Sequence, residues 1–302
     1  MPGQLKEVRN RIKSVQSIQQ ITKAMKMVSA AKLRRATDAI VQMRPYAIKL
    51  QEMLYHIVSN SDGEVGMSLA DQRPAEKILI IVITSDRGLC GAYNANLIKL
   101  AKQTIQEKYA SAFGKGNVTI MPVGKKGYDH FVRHRFKVDD RYRDLLLDLS
   151  FDDVQRASAS VMQAFEQKQY DVVEIIYSQF RNAVVQEFQV ERFLPIPKAS
   201  TSHITPTGTD KSDTRRADFI FEPDQEVLIR ELMPKILNTQ FYKALLDARA
   251  SEHGARMTSM DKATENADEL LRTYRITYNR ARQAAITTEL TEIVSGAAAL
   301  EG

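Results

Sequence analysis

Residues 254–300 read GARMTSMDKATENADELLRTYRITYNRARQAAITTELTEIVSGAAAL, with no proline and, between Gly254 and Gly296, no further glycine. Roughly forty residues can therefore run as one helix of about 60 Å, at ~1.5 Å per residue. An amphipathic helix draws most of its stability from burying one face. One this long must lie along another long helix or project from the body of the protein towards a partner.

The start of the chain supplies a counterpart. From Gln4, apolar residues fall at Leu5, Val8, Ile12, Val15, Ile18, Ile21, Met25 and Val28, in the three- and four-residue steps of one helix face. The pattern continues through Leu33, Ala36, Ile40 and Met43, and resumes beyond Pro45 at Leu50, Leu54 and Ile57. The spacing predicts an N-terminal helix over 1–58, about 80 Å long. A C-terminal helix is predicted over 223–300, interrupted in sequence only by Pro234. One helix enters the middle of the chain and the other leaves it, so pairing in one stalk makes them antiparallel. The predicted contact stripe joins Ile12, Val15, Ile21 and Val28 to Ala263, Ala267, Leu270, Tyr274 and Ala281. The longer helix exceeds the shorter by ~20 residues, or ~30 Å, and should overhang as a single helix.

Between the helices the pattern changes. Residues 59–75, with Gly63, Gly66 and Pro74, read as a linker. KILIIVIT at 77–84 has the unbroken β-branched character of a strand buried on both faces, and a helix follows at 94–109. Further strands are predicted at 117–123, 170–180 and 184–194, and helices at 125–135 and 152–167. This alternation predicts a Rossmann-like α/β domain over 76–197 with a parallel sheet. The Ser-, Thr- and Asp-rich stretch 198–217 predicts a surface loop within a connection spanning 198–222. The fold class is thus α/β: a long antiparallel coiled coil of the terminal helices plus a central Rossmann-like domain.

Composition excludes several classes. The longest aliphatic run, Ile78 to Ile83, is six residues, against the ~20 needed to span a bilayer. The single cysteine, Cys90, cannot form an internal disulfide, and with a charged N-terminal region this predicts a reducing, cytoplasmic compartment. Residues 1–58 carry eleven Lys and Arg against three acids, a net +8, whereas the whole chain is +6. That asymmetry points to an acidic partner. Lys32, Arg34 and Arg35 read either as a solvated helix face or as a docking stripe.

No catalytic set emerges. SDRGLCGAYN at 85–94 stands where phosphate-binding loops occur, but matches neither G-x-G-x-x-G nor G-x-x-x-x-G-K-[ST], and a tight strand-to-helix turn accounts for it. The lysines of GKKG at 124–127 read as solvated. His130 and His134 have a metal-like spacing without the H-E-x-x-H pattern. The basic helix is unlike a DNA-binding zipper, because its apolar stripe runs through the basic region instead of following it.

Three blocks carry a resemblance: ITKAMKMVSAAKLRRA (21–36), LIIVITSDRGLCGAYNAN (79–96), and ARMTSMDKATENADELL with YNRARQAAITTELTEIVSGAAAL (255–271 and 278–300). In this order they resemble the gamma subunit of bacterial F-type ATP synthases across essentially the whole chain. The resemblance implies a non-catalytic central rotor shaft that couples rotation of a membrane c-ring to conformational change in catalytic beta subunits. It implies no cofactor, no metal and no nucleic acid. Its implied partners are a 3:3 ring of alpha and beta subunits, the epsilon subunit and the c-ring, with peripheral attachment on the cytoplasmic face of the bacterial plasma membrane. The implied beta-subunit contacts are Met25, Arg256 and Gln283, with Lys23, Lys26, Lys32, Arg34 and Arg35 supplying complementary charge.

Overall fold

The computed structural model describes residues 2–59, 68–196 and 225–301. The predicted surface loop at 198–217 and part of the predicted linker lie outside the described residues. The elements run α1 (Pro2–Ser59), a short 3₁₀ turn (Ser68–Ala70), β1 (Ile78–Ile83), α2 (Tyr93–Lys108), α3 (Ala110–Gly114), β2 (Val118–Val123), α4 (Lys125–Arg133), β3 (Lys137–Val138), α5 (Phe151–Glu166), β4 (Val172–Phe180), β5 (Gln186–Leu194) and α6 (Gln225–Glu301). Both terminal helices are continuous, with Pro45 inside α1 and Pro234 inside α6. Two compact units result: Met1–Ala31 with Arg256–Gly302, and Lys32–Ala255.

The second unit is built on a five-stranded sheet of order β3-β2-β1-β4-β5. β1 pairs in parallel with both β2 and β4, Ile80 lying between Ile120 and Glu174. Parallel neighbours need a long crossover, supplied here by α2 and α3 between β1 and β2 and by α5 before β4. β5, whose direction the strand pattern leaves open, runs antiparallel to β4. Only residues 181–185 separate the two strands, which is enough for a hairpin and far too short for a crossover. The two-residue edge strand β3 and the five-residue helix α3 are too short to leave a periodic signal.

Alternation along β1 sorts its side chains between two cores. Leu79, Ile81 and Ile83 join Val154, Val161 and Phe165 of α5 and Leu237, Phe241 and Leu245 of α6. Ile78, Ile80 and Val82 join Leu97, Ala101 and Ile105 of α2 and Phe131 of α4. Every residue of β1 is buried, which is why its sequence shows no polar alternation. α5 starts on Ser150, whose hydroxyl accepts from the Asp153 N–H, the usual way to satisfy a free donor at a helix start. Within this unit α1 also packs on α6, Ala36 and Ile40 against Leu246 and Ala250.

Two carboxylates interrupt the cores. Glu174 of β4 accepts hydrogen bonds from the Tyr109 hydroxyl at 2.8 Å and the Arg192 guanidinium at 3.3 Å. Asp247 of α6 is buried, and burial raises its pKa from 3.8 to about 6 against the attraction of Lys243 and Arg44 and a hydrogen bond from the Phe180 backbone. The folded state therefore holds this proton more tightly than the unfolded chain. Stability from this group is fully present below the unfolded value and is lost as pH rises through about 6. The shift corresponds to at most ~3 kcal/mol at ~1.4 kcal/mol per pKa unit. Asp247→Asn is expected to raise the thermal midpoint at pH 8 and to change it little at pH 4. Equal shifts at the two pH values, measured by circular dichroism, would show that the carboxylate is not the cause.

Candidate interaction surface of the paired helices

The first unit is an antiparallel helix pair. On α1 the residues withdrawn from solvent step as Leu5, Val8, Ile12, Val15, Gln19, Thr22, Lys26 and Ser29. On α6 they include Met260, Thr264, Ala267, Leu271, Tyr274, Tyr278, Ala281 and Ala285. Both series alternate steps of three and four, the 3.5-residue period that keeps one seam facing a partner helix. The cross-pair contacts fix the register. Lys26 forms an ion pair with Asp261, the Thr22 and Thr264 hydroxyls bond at 2.8 Å, Gln19 donates to Asp268, and Arg9 donates to the Tyr278 hydroxyl at 3.0 Å.

The seam differs from the predicted stripe. Ile12, Val15, Ala263, Tyr274 and Ala281 are half-buried and Ala267 is buried, as a pairing face requires. Ile21 and Val28 are instead 58% and 56% exposed, while Thr22 and Ser29 beside them are buried. On α6, Leu270 is 47% exposed and Leu271 is 4% exposed. A search for apolar residues drifts off the seam because two of its turns are polar. Gln19, Thr22, Lys26 and Ser29 satisfy their polar groups across the pair or on the helix backbone, Ser29 donating to the Met25 carbonyl at 2.8 Å. Such polar positions favour one register at some cost in stability.

The predicted docking residues differ in exposure and are divided between the two units. Lys23 and Gln283 are exposed and Met25 is half-buried. Lys26 is engaged by Asp261, and Arg256 is buried. Arg256 and Gln283 are separated by ~40 Å along α6 at the helical rise. Lys32, Arg34 and Arg35 are exposed on the other unit. The Lys26–Asp261 pair is itself about half exposed, so a double-mutant cycle with Lys26→Met and Asp261→Asn is expected to give a coupling of ~0–1 kcal/mol. A coupling above that range in urea unfolding would mean that the pair behaves as a desolvated one.

Two features of the unit emerge only from the register. The first is a basic collar of Lys6, Arg9, Arg11 and Lys13 on α1 with Arg272, Arg275, Arg280 and Arg282 on α6, all exposed. Glu7, bonded to Arg11 at 2.6 Å, is the one acid within 5–15 and 272–282. The second is an unpaired end. With residue 9 beside 278 and residue 26 beside 261, the register places no described residue of α1 opposite residues 286–301. Side chains 291–297 are all exposed, and Ile286, Leu290, Ile293 and Val294 present apolar surface that is 50%, 57%, 68% and 66% exposed. Their spacing of four, three and one places them along one side of the helix. This end spans ~24 Å, slightly less than the overhang expected from helix lengths alone.

The turn that the sequence flagged in the other unit closes on itself. Asn94 accepts from the Ser85 N–H at 2.9 Å and donates to the Ser85 hydroxyl, which in turn donates to the Arg87 carbonyl at 2.7 Å. Cys90 is buried there. Among the described residues no cluster of His, Cys, Asp and Glu has the arrangement of a metal site, and no helix is long and apolar enough to cross a membrane.

Comparison with known proteins agrees with this architecture. The family model described as ATP synthase matches residues 4–300. An ATP synthase gamma chain of Cytophaga hutchinsonii is 49% identical over 300 residues, covering 99% of both chains. One from Flavobacterium psychrophilum is 47% identical, again over 99% of both. Among solved structures, a chain of the Euglena gracilis mitochondrial ATP synthase in rotational state 3 aligns with a TM-score of 0.65 at 20% identity, covering 99% of this chain and 95% of that one. A chain of the Tetrahymena thermophila central stalk and c-ring aligns with a TM-score of 0.56 at 23% identity, covering 80% and 99%. Two long terminal helices before and after a mainly parallel five-stranded sheet in the chain, read with these matches, mean that the chain belongs to the ATP synthase gamma-chain family.

Proposed function

We propose that the chain is the central rotor shaft of an F-type ATP synthase, carrying rotation of a membrane c-ring to conformational change in catalytic beta subunits while performing no catalysis itself. The observation that carries the reading is the unpaired end of α6, with apolar side chains exposed on one side above a collar of eight cations. An apolar helix end left bare by its own chain suits an apolar sleeve formed by a ring of partners, and the collar suits acidic loops at the mouth of that ring. In this reading the ring is three alpha and three beta subunits. Lys23, Lys32, Arg34, Arg35 and Gln283 meet beta directly, beside Met25, while Lys26 and Arg256 contribute from within the packing. The α/β unit takes the epsilon subunit and the c-ring, which holds the chain peripherally at the cytoplasmic face of the bacterial membrane.

The mechanism follows from differential binding. A rod with different side chains on each side presents a different face to each of three beta subunits, so the three sites are held in different states. Rotation permutes those states. Each contact shifts a beta subunit only by the difference in its affinity for two conformations. A deep well at one angle would stall rotation, and exposed, screened ion pairs of ~0–1 kcal/mol avoid that trap. The test is reconstitution with alpha and beta subunits, with and without this chain, following ATP hydrolysis and rotation of a probe attached to the α/β unit. Hydrolysis-driven rotation is expected only with the chain present. Hydrolysis indifferent to its omission, or a static probe, would sink the proposal.

A further inference from the structure

Away from the helix pair, the α/β unit has a groove of ≈ 710 Å³ between α2 and α4. It adjoins the C-terminal ends of β1 and β2, the side on which open parallel sheets commonly take ligands. Lys99 and Lys102 enter it from α2, and Lys126, His130 and Arg133 from α4. None of the four cations forms an ion pair or a side-chain hydrogen bond among the described residues. Asp129 is the one carboxylate in the lining, so the groove holds four cations against one anion. His130 registers that field. Its pKa is lowered by burial first, then by the positive charges of Lys102, His134 and Arg133. Its Nε2 is buried without a hydrogen-bond partner, while its ring stacks on His134 at 4.0 Å. The N-terminal amides of α4 do not compete for an anion, because Lys125 N–H bonds Asp86, Lys126 N–H bonds the Ser85 carbonyl and Gly127 N–H bonds the Thr84 hydroxyl. Recognition in this groove therefore falls to side chains.

We propose that this groove binds a polyphosphate anion, free or as the phosphate chain of a nucleotide, with Lys99, Lys102, Lys126 and Arg133 taking the phosphate oxygens. Four cations brought together from two helices repel one another. An anion of three to four charges relieves that repulsion and gains charge-assisted hydrogen bonds, with Arg133 able to engage two oxygens at once. An anion with several phosphate groups can engage more of these cations at once than a single phosphate can, so chain length should set affinity. The proposal is independent of the rotor reading, since it concerns a ligand of the isolated chain.

Isothermal titration of the full-length chain at low salt, with tripolyphosphate, ATP and inorganic phosphate as probes, tests it. Tripolyphosphate is expected to bind saturably at one per chain and inorganic phosphate at least ~10-fold more weakly, a factor equal to ~1.4 kcal/mol. Lys99→Gln with Lys102→Gln, and separately Arg133→Gln, should each weaken tripolyphosphate binding by ~10-fold or more. Lys6→Gln with Lys13→Gln, in the collar, should leave it unchanged. ATP binding more tightly than tripolyphosphate would identify a nucleotide as the ligand, and the reverse order a free polyphosphate. Absence of saturable heat, equal losses from collar and groove variants, or displacement by poly-glutamate at lower concentration than by tripolyphosphate would each overturn the proposal. The first would mean no site, the second diffuse charge attraction, and the third a protein-docking surface.

Discussion

Gly124→Ala is expected to cost about 4 kcal/mol or more and to prevent stable folding of the α/β unit at growth temperatures. Gly124 follows β2 with φ of +104°, a conformation that L side chains rarely adopt. A Cβ there would lie 2.2 Å from the Thr84 carbonyl oxygen and 2.7 Å from its carbon. Both are backbone atoms at the end of the central strand. Thr84 is pinned by its N–H to the Val123 carbonyl at 2.8 Å, and its hydroxyl accepts from the Gly127 N–H at 2.9 Å. Relief would need β1 and β2 to part, opening both cores at the middle of the sheet. Gly88→Ala is the control, since its Cβ would meet only Lys126 Cε at 3.8 Å. It should change stability by no more than ~0.5 kcal/mol. Thermal and urea unfolding of the two variants checks the pair, and similar stabilities would contradict the assigned strand-end packing.

Truncation after Ala285 is expected to separate stability from mechanical output. The register places no described residue of α1 opposite 286–301, and the apolar side chains Ile286, Leu290, Ile293 and Val294 are at least half exposed. Their removal should alter unfolding free energy by no more than ~0.5 kcal/mol. The rotor reading expects the assembled complex to form and yet deliver lower torque and slower ATP-driven rotation, because the end that runs inside the ring is missing. Truncation after Tyr274 should behave differently. It deletes Tyr278, Ala281 and Ala285 from the seam and uncovers Val8 and Ile12. Partial exposure of several apolar side chains at ~1.5–3 kcal/mol for full burial suggests a loss of about 3 kcal/mol. Full torque from the shorter truncation would remove the unpaired end from the mechanism, and equal destabilisation by both would show that the end is packed.

The parts of the structure legible from sequence are those set by local pattern. β1 was readable because six consecutive aliphatic residues leave no polar face, and the sheet buries all six. The long helices were readable because breakers are sparse, although Pro45 and Pro234 proved compatible with continuous helices. β5 is legible as a strand but not in its direction, since alternation carries no sign and only the five-residue connection to β4 does. Among docking residues, Lys26 was legible as a basic position on α1 but not as the partner of Asp261, which stands 235 residues away in the chain.

Composition and periodicity alone determined two long helices, a mainly parallel α/β sheet between them, and an excess of positive charge at the start of the chain. These are properties of neighbouring residues, so a linear pattern contains them. Tertiary structure decided which face each helix turns to the other. A seam runs through Thr22 and Ser29 in preference to Ile21 and Val28, and through Leu271 in preference to Leu270, because a 3.5-residue seam is chosen by the partner's register and accepts polar groups that find bonds across it. That same register gathers cations from opposite ends of the sequence into one collar and sets where α6 runs out of partner. Both depend on which residue lies beside which, a relation that exists only once the two helices are paired.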